Sequence, residues 1–334
     1  MTKKTLIKKI ATWVMMAIMG SVFLLDIICV AMCNHYQGLY DVKIEDFSMS
    51  TGDDRIHFLN VNNSDAILLQ SNGKFALIDS GEGDNNPRKS MSYKGNEQAV
   101  IDYLKKVASD ESGKVELEFI LGTHNHYDHI GAFEAIIKDP DISTKTAYLK
   151  PINHDVVHDY EIDDWGIEDT YNATVDALIA DGAEVTSDIP ENIKFGDFNL
   201  TLYNTVTDPS FKDQGENAAS IGILVEKGNK KAFLAADITN TTGLEDKLLD
   251  DMQKVDLLKV GHHGYYGSTS WKFAKKLDPD IAIITNKLGK IYPDIKWTLT
   301  MICHAAIFAS VDCNGIIATF SDDGEIYLTE NAQR

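Results

Sequence analysis

The sequence predicts an α/β domain carried behind one hydrophobic N-terminal helix. Three observations point to this class. Short apolar runs that suit strands alternate with amphipathic stretches that suit helices through most of the chain. Histidines and aspartates cluster directly after several of those runs, and Lys3, Lys4, Lys8 and Lys9 precede an almost unbroken apolar segment over residues 11–33.

That basic flank followed by an apolar run reads either as an uncleaved anchor with its lysines in the cytoplasm or as a signal peptide. The run is long enough to span a bilayer. Asp26 interrupts it at a cost of about 2.5 to 3.5 kcal/mol near a membrane centre, and Ala31-Met32-Cys33 offers a small-x-small cleavage site. Both readings export the rest of the chain. Residues 34–54 read as a polar tether, leaving 55–334 as one folded domain. Of the four cysteines, Cys29 and Cys33 lie in the apolar segment, and Cys303 and Cys313 belong to the exported part, where a disulfide and two free thiols are equally compatible with the spacing.

The domain opens with strands at 56–59, 66–69 and 75–78, the last two joined by the turn Ser71-Asn72-Gly73. The third ends at Asp79-Ser80-Gly81. A helix over 97–107 leads to a strand at 117–121 and then to Thr123-His124-Asn125-His126-Tyr127-Asp128-His129-Ile130-Gly131. Three imidazoles and a carboxylate thus occupy one strand-to-helix loop. Imidazole and carboxylate suit zinc, manganese or iron, and this spacing can aim two ligands at one ion and two at a neighbour. His35 and His57 fit no such spacing.

After a strand at 147–149, residues 153–169 are polar and aromatic without a clear period, carrying His154, His158, Tyr160 and Trp165. A segment of this kind forms a wall over a pocket or a plain surface excursion. A helix over 167–180 comes next, then strands at 198–203, 221–225 and 231–235, the last ending in Ala236-Asp237. A helix over 244–252 precedes the strand at 255–260, which runs into Gly261-His262-His263-Gly264. The C-terminal part reads as an amphipathic helix over 297–308, with His304 on it, and a hairpin over 316–328 turning at Asp322-Asp323-Gly324. Chemistry-bearing residues therefore recur at strand ends, the edge at which α/β enzymes build their sites.

Asp79-Ser80-Gly81, the His124-to-His129 loop, Asp237 and the His262-His263 pair, in this order, resemble the metallo-β-lactamase superfamily, and the resemblance implies an αββα sandwich. Within it, the stretches beginning at Asp65, Phe119 and Val255 resemble a ComEC-like branch that contains competence nuclease domains and phosphorylcholine esterases, with the esterase module the nearer match. The resemblance implies that His124 and His126 bind one divalent ion, Asp128 and His129 a second, and that Asp237 bridges them, with two zinc ions first and manganese or iron as alternatives. It leaves the last ligand open between His262 and His263, of which His263 is taken as the ligand and His262 as a substrate contact, and implies Asp79 as the carboxylate that orients a ligating imidazole. A third histidine expected for the first ion is replaced by the Asn217-Ala218-Ala219-Ser220 region, so Asn217 or water would complete that shell.

The reaction implied is phosphodiester hydrolysis: two ions hold a hydroxide at neutral pH, His262 offsets charge on the phosphoryl oxygens, and Asp128 or a bound water protonates the leaving alkoxide. A phosphorylcholine substrate would call for an aromatic cage, for which Tyr160, Trp165, Tyr171, Tyr265 and Tyr266 are the candidates. Three alternatives share the motifs: a DNA-cleaving nuclease, a lactone or ester hydrolase, and a surface module that binds metal without catalysis. The net charge of −20 disfavours nonspecific nucleic-acid binding, which draws on a basic surface. The expected partners are therefore a small phosphodiester or choline-phosphate-bearing substrate and, through the N-terminal helix, the membrane.

Overall fold

A computed structural model describes residues 3–44, 53–88, 94–330 and 333; residues 45–52 of the expected tether lie outside this set. The helix α1 (Lys3–Gln37) comes first, and its stretch from Lys8 is long and apolar enough to cross a membrane. The strands follow as β1 (Lys43–Ile44), β2 (Arg55–Phe58), β3 (Ile67–Ser71), β4 (Lys74–Ile78), β5 (Val115–Gly122), β6 (Ile142–Leu149), β7 (Glu184–Thr186) and β8 (Asn192–Phe195). They continue as β9 (Phe198–Tyr203), β10 (Gly222–Lys227), β11 (Lys230–Leu234), β12 (Leu257–Lys259), β13 (Ile281–Ile284), β14 (Ala306–Ala309), β15 (Ile316–Phe320) and β16 (Ile326–Glu330). The further helices are α2 (Glu97–Ala108), α3 (Tyr127–Ile130), α4 (Phe133–Lys138), α5 (Asp159–Asp163), α6 (Ile167–Asp181), α7 (Leu244–Leu248), α8 (Trp271–Leu277) and α9 (Pro293–Trp297).

The strands form two sheets, ordered β1-β16-β15-β2-β3-β4-β5-β6-β7 and β14-β13-β12-β11-β10-β9-β8. Each sheet has an antiparallel half and a parallel half, the parallel halves being β4 to β7 and β11 to β14. Period-two alternation divides the side chains between faces. Ala76 and Ile78 of β4 pack inward against the other sheet together with Leu202, Ile223 and Leu234, while Leu77 packs outward with Val100, Leu104 and Phe133. The second sheet covers its outer face with Leu244, Phe273 and Ile295. The expected αββα sandwich is thus the fold observed.

Two sequence expectations are corrected. The helix over 297–308 is in fact α9 followed by a π-helical turn at Thr298–Ile302 and then β14; His304, at φ 58, breaks the helical path, and residues 306–309 pair with β13 instead. The tether is not free either. The helix continues past Cys33 to Gln37, whose side chain donates to the Ile307 carbonyl, Tyr40 packs edge-on against Phe308, and β1 joins β16 in parallel. Cys29 and Cys33 are buried against the domain. The described cysteines are free thiols, Cys303 and Cys313 included.

Candidate metal centre

The site lies where parallel strands of both sheets end on one edge of the sandwich. From the first sheet come Asp79 after β4 and the histidine loop after β5; from the second come Asp237 after β11 and His263 after β12. Non-glycine residues at these ends adopt left-handed backbone: Asp79 at φ 54, Ala236 at φ 44, His262 at φ 46 and His263 at φ 51. Conformations of this kind cost on the order of 1 to 3 kcal/mol each and persist only where packing over-determines them. Gly261 supports the last of these turns, because a Cβ there would meet the Ile238 carbonyl at 2.7 Å.

Asp237 sits at the centre. Its Oδ1 lies 3.3 Å from His129 Nε2 and 3.4 Å from His263 Nε2, and its Oδ2 lies 3.8 Å from His124 Nε2. His126 Nδ1 is 3.1 Å from His124 Nε2, and Asp128 Oδ2 is 3.7 Å from His263 Nε2. The donors fall into three groups, His124 with His126 and Asp237, Asp128 with His129 and His263, and Asp65 with His129 and Asp237, the last sharing a member with each of the others. Burial opposes charge on Asp237, but His129, His263 and His262 outweigh it and hold the carboxyl well below its ordinary value.

Each imidazole is oriented by its other nitrogen. His129 Nδ1–H donates to Asp79 Oδ2 at 2.7 Å, and Asp79 also accepts from the Thr123 amide and hydroxyl at 2.8 Å each. His263 Nδ1 lies 3.1 Å from Thr285 Oγ1 and 3.2 Å from Asp65 Oδ1. Beneath it, Asp65 forms an ion pair with Lys259, which is fully buried and also donates to the Ala236 carbonyl at 2.8 Å. His126 Nε2–H donates to Glu161 Oε1 at 2.9 Å. Glu161 belongs to α5, inside the segment read from sequence as a wall or an excursion; it is a wall. Glu216 fixes the loop from below by accepting from the Asn125 amide and side chain at 2.9 and 2.8 Å.

The residues fit a metal by a direct test. His129 Nε2, His263 Nε2 and Asp237 Oδ1 are buried, have no hydrogen-bond partner among the described residues and converge on one another. Buried donor and acceptor atoms are rarely left so, because an unmet group costs about 1 to 3 kcal/mol. Divalent cations are the ligands that suit two imidazole nitrogens and a carboxylate oxygen meeting at one point.

A cavity of about 480 Å³ opens over this cluster, lined by His126, Asp128, Asn217, Asp237 and His262 and walled by Tyr160, Trp165 and Tyr265. Asn217 Oδ1 is buried and unpartnered on that surface. Trp165 packs edge-on against His126 at 5.3 Å and against Tyr160 at 5.1 Å. Of the histidine pair, His263 is buried in the ligand cluster, whereas His262 is partly exposed, with Nε2 3.7 Å from Asp237 Oδ2. Two candidates fall elsewhere. Tyr266 is 66% exposed and lies tilted against Tyr292 outside the cavity, and Tyr171 packs into the helix layer on α6. His57, hydrogen-bonded to Tyr103 and Gln70 and pushed down to about 3 by burial, is a core histidine.

Sequence reasoning misses Glu161, Glu216, Asp65, Lys259 and Thr285. Lys259 carries a signal, a lone charge within an apolar strand; Glu161 carries none.

Two facing sheets with a histidine and aspartate cluster at their strand ends are the arrangement expected of a metallo-β-lactamase fold. Residues 59–154 match the profile of the metallo-beta-lactamase superfamily. Among curated relatives, ComE operon protein 3 of Bacillus subtilis is 25% identical over 281 residues, covering 75% of this chain and 33% of that protein. Recombination protein 2 of Haemophilus influenzae is 24% identical over 233 residues, covering 70% of this chain and 24% of that protein. The chain therefore spans a third or less of these relatives. Among solved structures, the metallo-beta-lactamase fold protein YhfI from Bacillus subtilis aligns with a TM-score of 0.45 at 11% identity, over 76% of this chain and 95% of that one. Zn²⁺-bound PqqB from Methylobacterium extorquens aligns with a TM-score of 0.36 at 16% identity, over 58% of each.

Proposed function

We propose that this chain is a metal-dependent phosphodiesterase held at the outer face of a membrane by α1. The observation that carries the reading is the convergence of unpartnered His129, His263 and Asp237 atoms at the floor of an open cavity. Structural metal sites are closed by protein ligands, whereas catalytic ones keep a face open to substrate. His124, His126 and Asp237 would hold one divalent ion, and Asp128, His129 and His263 the other, with Asp237 shared. Two ions there would supply a water activated at neutral pH and a positive field for a phosphoryl group, zinc suiting the nitrogen-rich set best.

The chain's own residues supply the rest. His262 presents its Nε2 from the rim, close enough to Asp237 to be oriented by it and open enough to donate to a phosphoryl oxygen. Asn217, with its buried unpartnered oxygen, borders the place of the missing third histidine and leaves that side open to substrate. Asp128, the more exposed of the carboxylates, would take the proton given up by the attacking water and pass it to the leaving alkoxide. Glu161 and Asp79 keep His126 and His129 aimed inward.

Tyr160, Trp165 and Tyr265 support the choline-ester reading, since a desolvated quaternary ammonium against such rings gains about 2 kcal/mol or more. A second reading, cleavage of nucleic acid, is favoured by the two curated relatives, one of them named as a recombination protein. Retention of α1 as an anchor is supported by Cys29 and Cys33, which a cleaved signal would take away from their buried places against the domain.

The test is metal analysis of the full chain in detergent together with turnover of p-nitrophenyl phosphorylcholine, bis-p-nitrophenyl phosphate and single-stranded DNA, with Asp237→Ala as control. About two metals per chain and Asp237-dependent turnover of a diester are expected. Bound metal with turnover of lactones or carboxylic esters alone would overturn the phosphoryl reading.

A further inference from the structure

Tyr265 borders two cavities. Beyond it, on the side away from Trp165, lies a second opening of about 560 Å³ that shares Asn63 and Tyr265 with the metal cavity. Its cationic lining consists of Lys94, Lys287 and Lys290, all exposed. Among the described residues these three ammonium groups have no carboxylate partner, in a chain of net charge −20 where Lys105, Lys145, Lys227 and Lys230 each engage two. The one carboxylate on this cavity, Glu82, is taken by Arg88.

The lysines are also tied to the metal cluster. Asn286, nearly fully buried, donates to the His263 carbonyl at 3.4 Å and accepts from the Lys287 amide at 2.8 Å. It follows Thr285, the residue that faces His263 Nδ1. One short turn after β13 therefore sets both the last imidazole and the lysine pair. Three like charges around one opening repel each other, and an anion entering between them relieves that repulsion.

We propose that this second cavity is an anion subsite that takes the phosphate next to the scissile one, so that the substrate is a chain of phosphodiesters and not a single head-group ester. The inference rests on the phosphodiesterase reading. Tyr265 stands between the two phosphate positions, where its ring can pack on whatever links them.

The experiment measures binding of a fluorescein-labelled, phosphorothioate-linked thymidine hexamer to the metal-loaded full chain in detergent, by anisotropy across a salt series. Lys94→Gln/Lys287→Gln/Lys290→Gln is compared with the unaltered chain, and each Lys→Gln single variant guards against a folding defect. Contacts to single-stranded phosphates contribute a slope of about 0.7 each in log affinity against log salt. The triple variant is expected to lose about 2 from that slope and to bind at least tenfold more weakly in about 0.1 M salt. Equal slopes would overturn the subsite. Poly(glycerol phosphate) as competitor separates the sources: displacement of the hexamer assigns the cleft to phosphate chains in general, and no displacement assigns it to nucleotide strands. Turnover of bis-p-nitrophenyl phosphate by the same preparation reports on the phosphodiesterase reading independently, so loss of one leaves the other readable.

Discussion

Replacing Glu161 by glutamine separates the two halves of the metal centre. The Glu161 carboxylate accepts from His126 Nε2 at 2.9 Å, from the Glu216 amide at 3.1 and 3.2 Å and from the His158 amide at 2.7 Å. Burial opposes its ionisation, but His126 and the backbone donors outweigh that and hold the carboxyl below its ordinary value. An amide keeps one oxygen for His126 and Glu216 and turns its NH₂ toward the His158 N–H, leaving a buried donor unmet at about 1 to 3 kcal/mol. His126 loses a charged acceptor, and loss of such outer partners typically weakens metal binding by about 10- to 100-fold. The effect should fall on the ion held by His124 and His126. Asp79→Asn should do the same to the ion held by His129, through the 2.7 Å bond to its Nδ1. Chelator titration of the loaded protein, followed by metal analysis after gel filtration, reads the two ions separately. Glu161→Gln is expected to release one ion at about 10- to 100-fold lower chelator and leave the second near its original midpoint, with Asp79→Asn showing the complementary pattern. Release of both ions together in each variant would refute the assignment of these carboxylates to separate ions.

The same geometry leads to three further outcomes. Burial lifts Glu245 to about 7, so the folded chain keeps this proton through a window in which the unfolded chain has released it; stability present at acid pH is lost as pH rises from about 4.5 to 7, by about 3 kcal/mol. Glu245→Gln should remove that loss, and urea unfolding at pH 5 and 8 should show a smaller decline than the unaltered chain. Lys259→Met leaves Asp65 buried without its cation and should cost about 3 to 5 kcal/mol in urea unfolding, with Lys259→Met/Asp65→Leu recovering most of it. Removing residues 1–37 uncovers β14, the edge of the second sheet that α1 packs along and Gln37 caps; a lower melting temperature and concentration-dependent association by light scattering are expected, against an unchanged monomer if α1 is only a leader.

The ligand cluster is legible in the sequence because its members follow apolar strands in loops, where imidazole and carboxylate have no packing role to explain them. What orients the cluster is not. Glu161 comes from a five-residue helix in a segment without period, and its partnership with His126 spans 35 positions that only the closed fold brings together. The strands of the second sheet's parallel half are three to five residues long and buried on both faces, so they lose the alternation that marks a half-exposed strand. Hence β13 leaves no readable period and β14 is absorbed into a helical spacing. Backbone at Asp79, Ala236, His262 and His263 adopts left-handed angles, which aspartate and histidine take more readily than most residues but which nothing in the sequence marks at these positions, least of all at Ala236.

The distribution of ligands explains why that backbone is tolerated. His124, His126, Asp128 and His129 hang from the first sheet, and Asp237 and His263 from the second. A cation held by both sets therefore crosses the seam of the sandwich. Such a cation would favour the folded state, and a ligand of the folded state alone, present at 100 times its dissociation constant, adds about 2.7 kcal/mol to folding. Four strained strand ends at about 1 to 3 kcal/mol each come to about 4 to 12 kcal/mol, of which such an ion would offset part. Without a cation, buried imidazole nitrogens and a carboxylate oxygen face one another unmet, adding to the same side of the balance. Strain at the strand ends and a seam-crossing ion would thus be two parts of one arrangement: the inter-sheet core built from residues such as Ile78, Leu121 and Leu234 fixes the edge, and an ion held there would stabilise conformations that this edge alone holds less firmly.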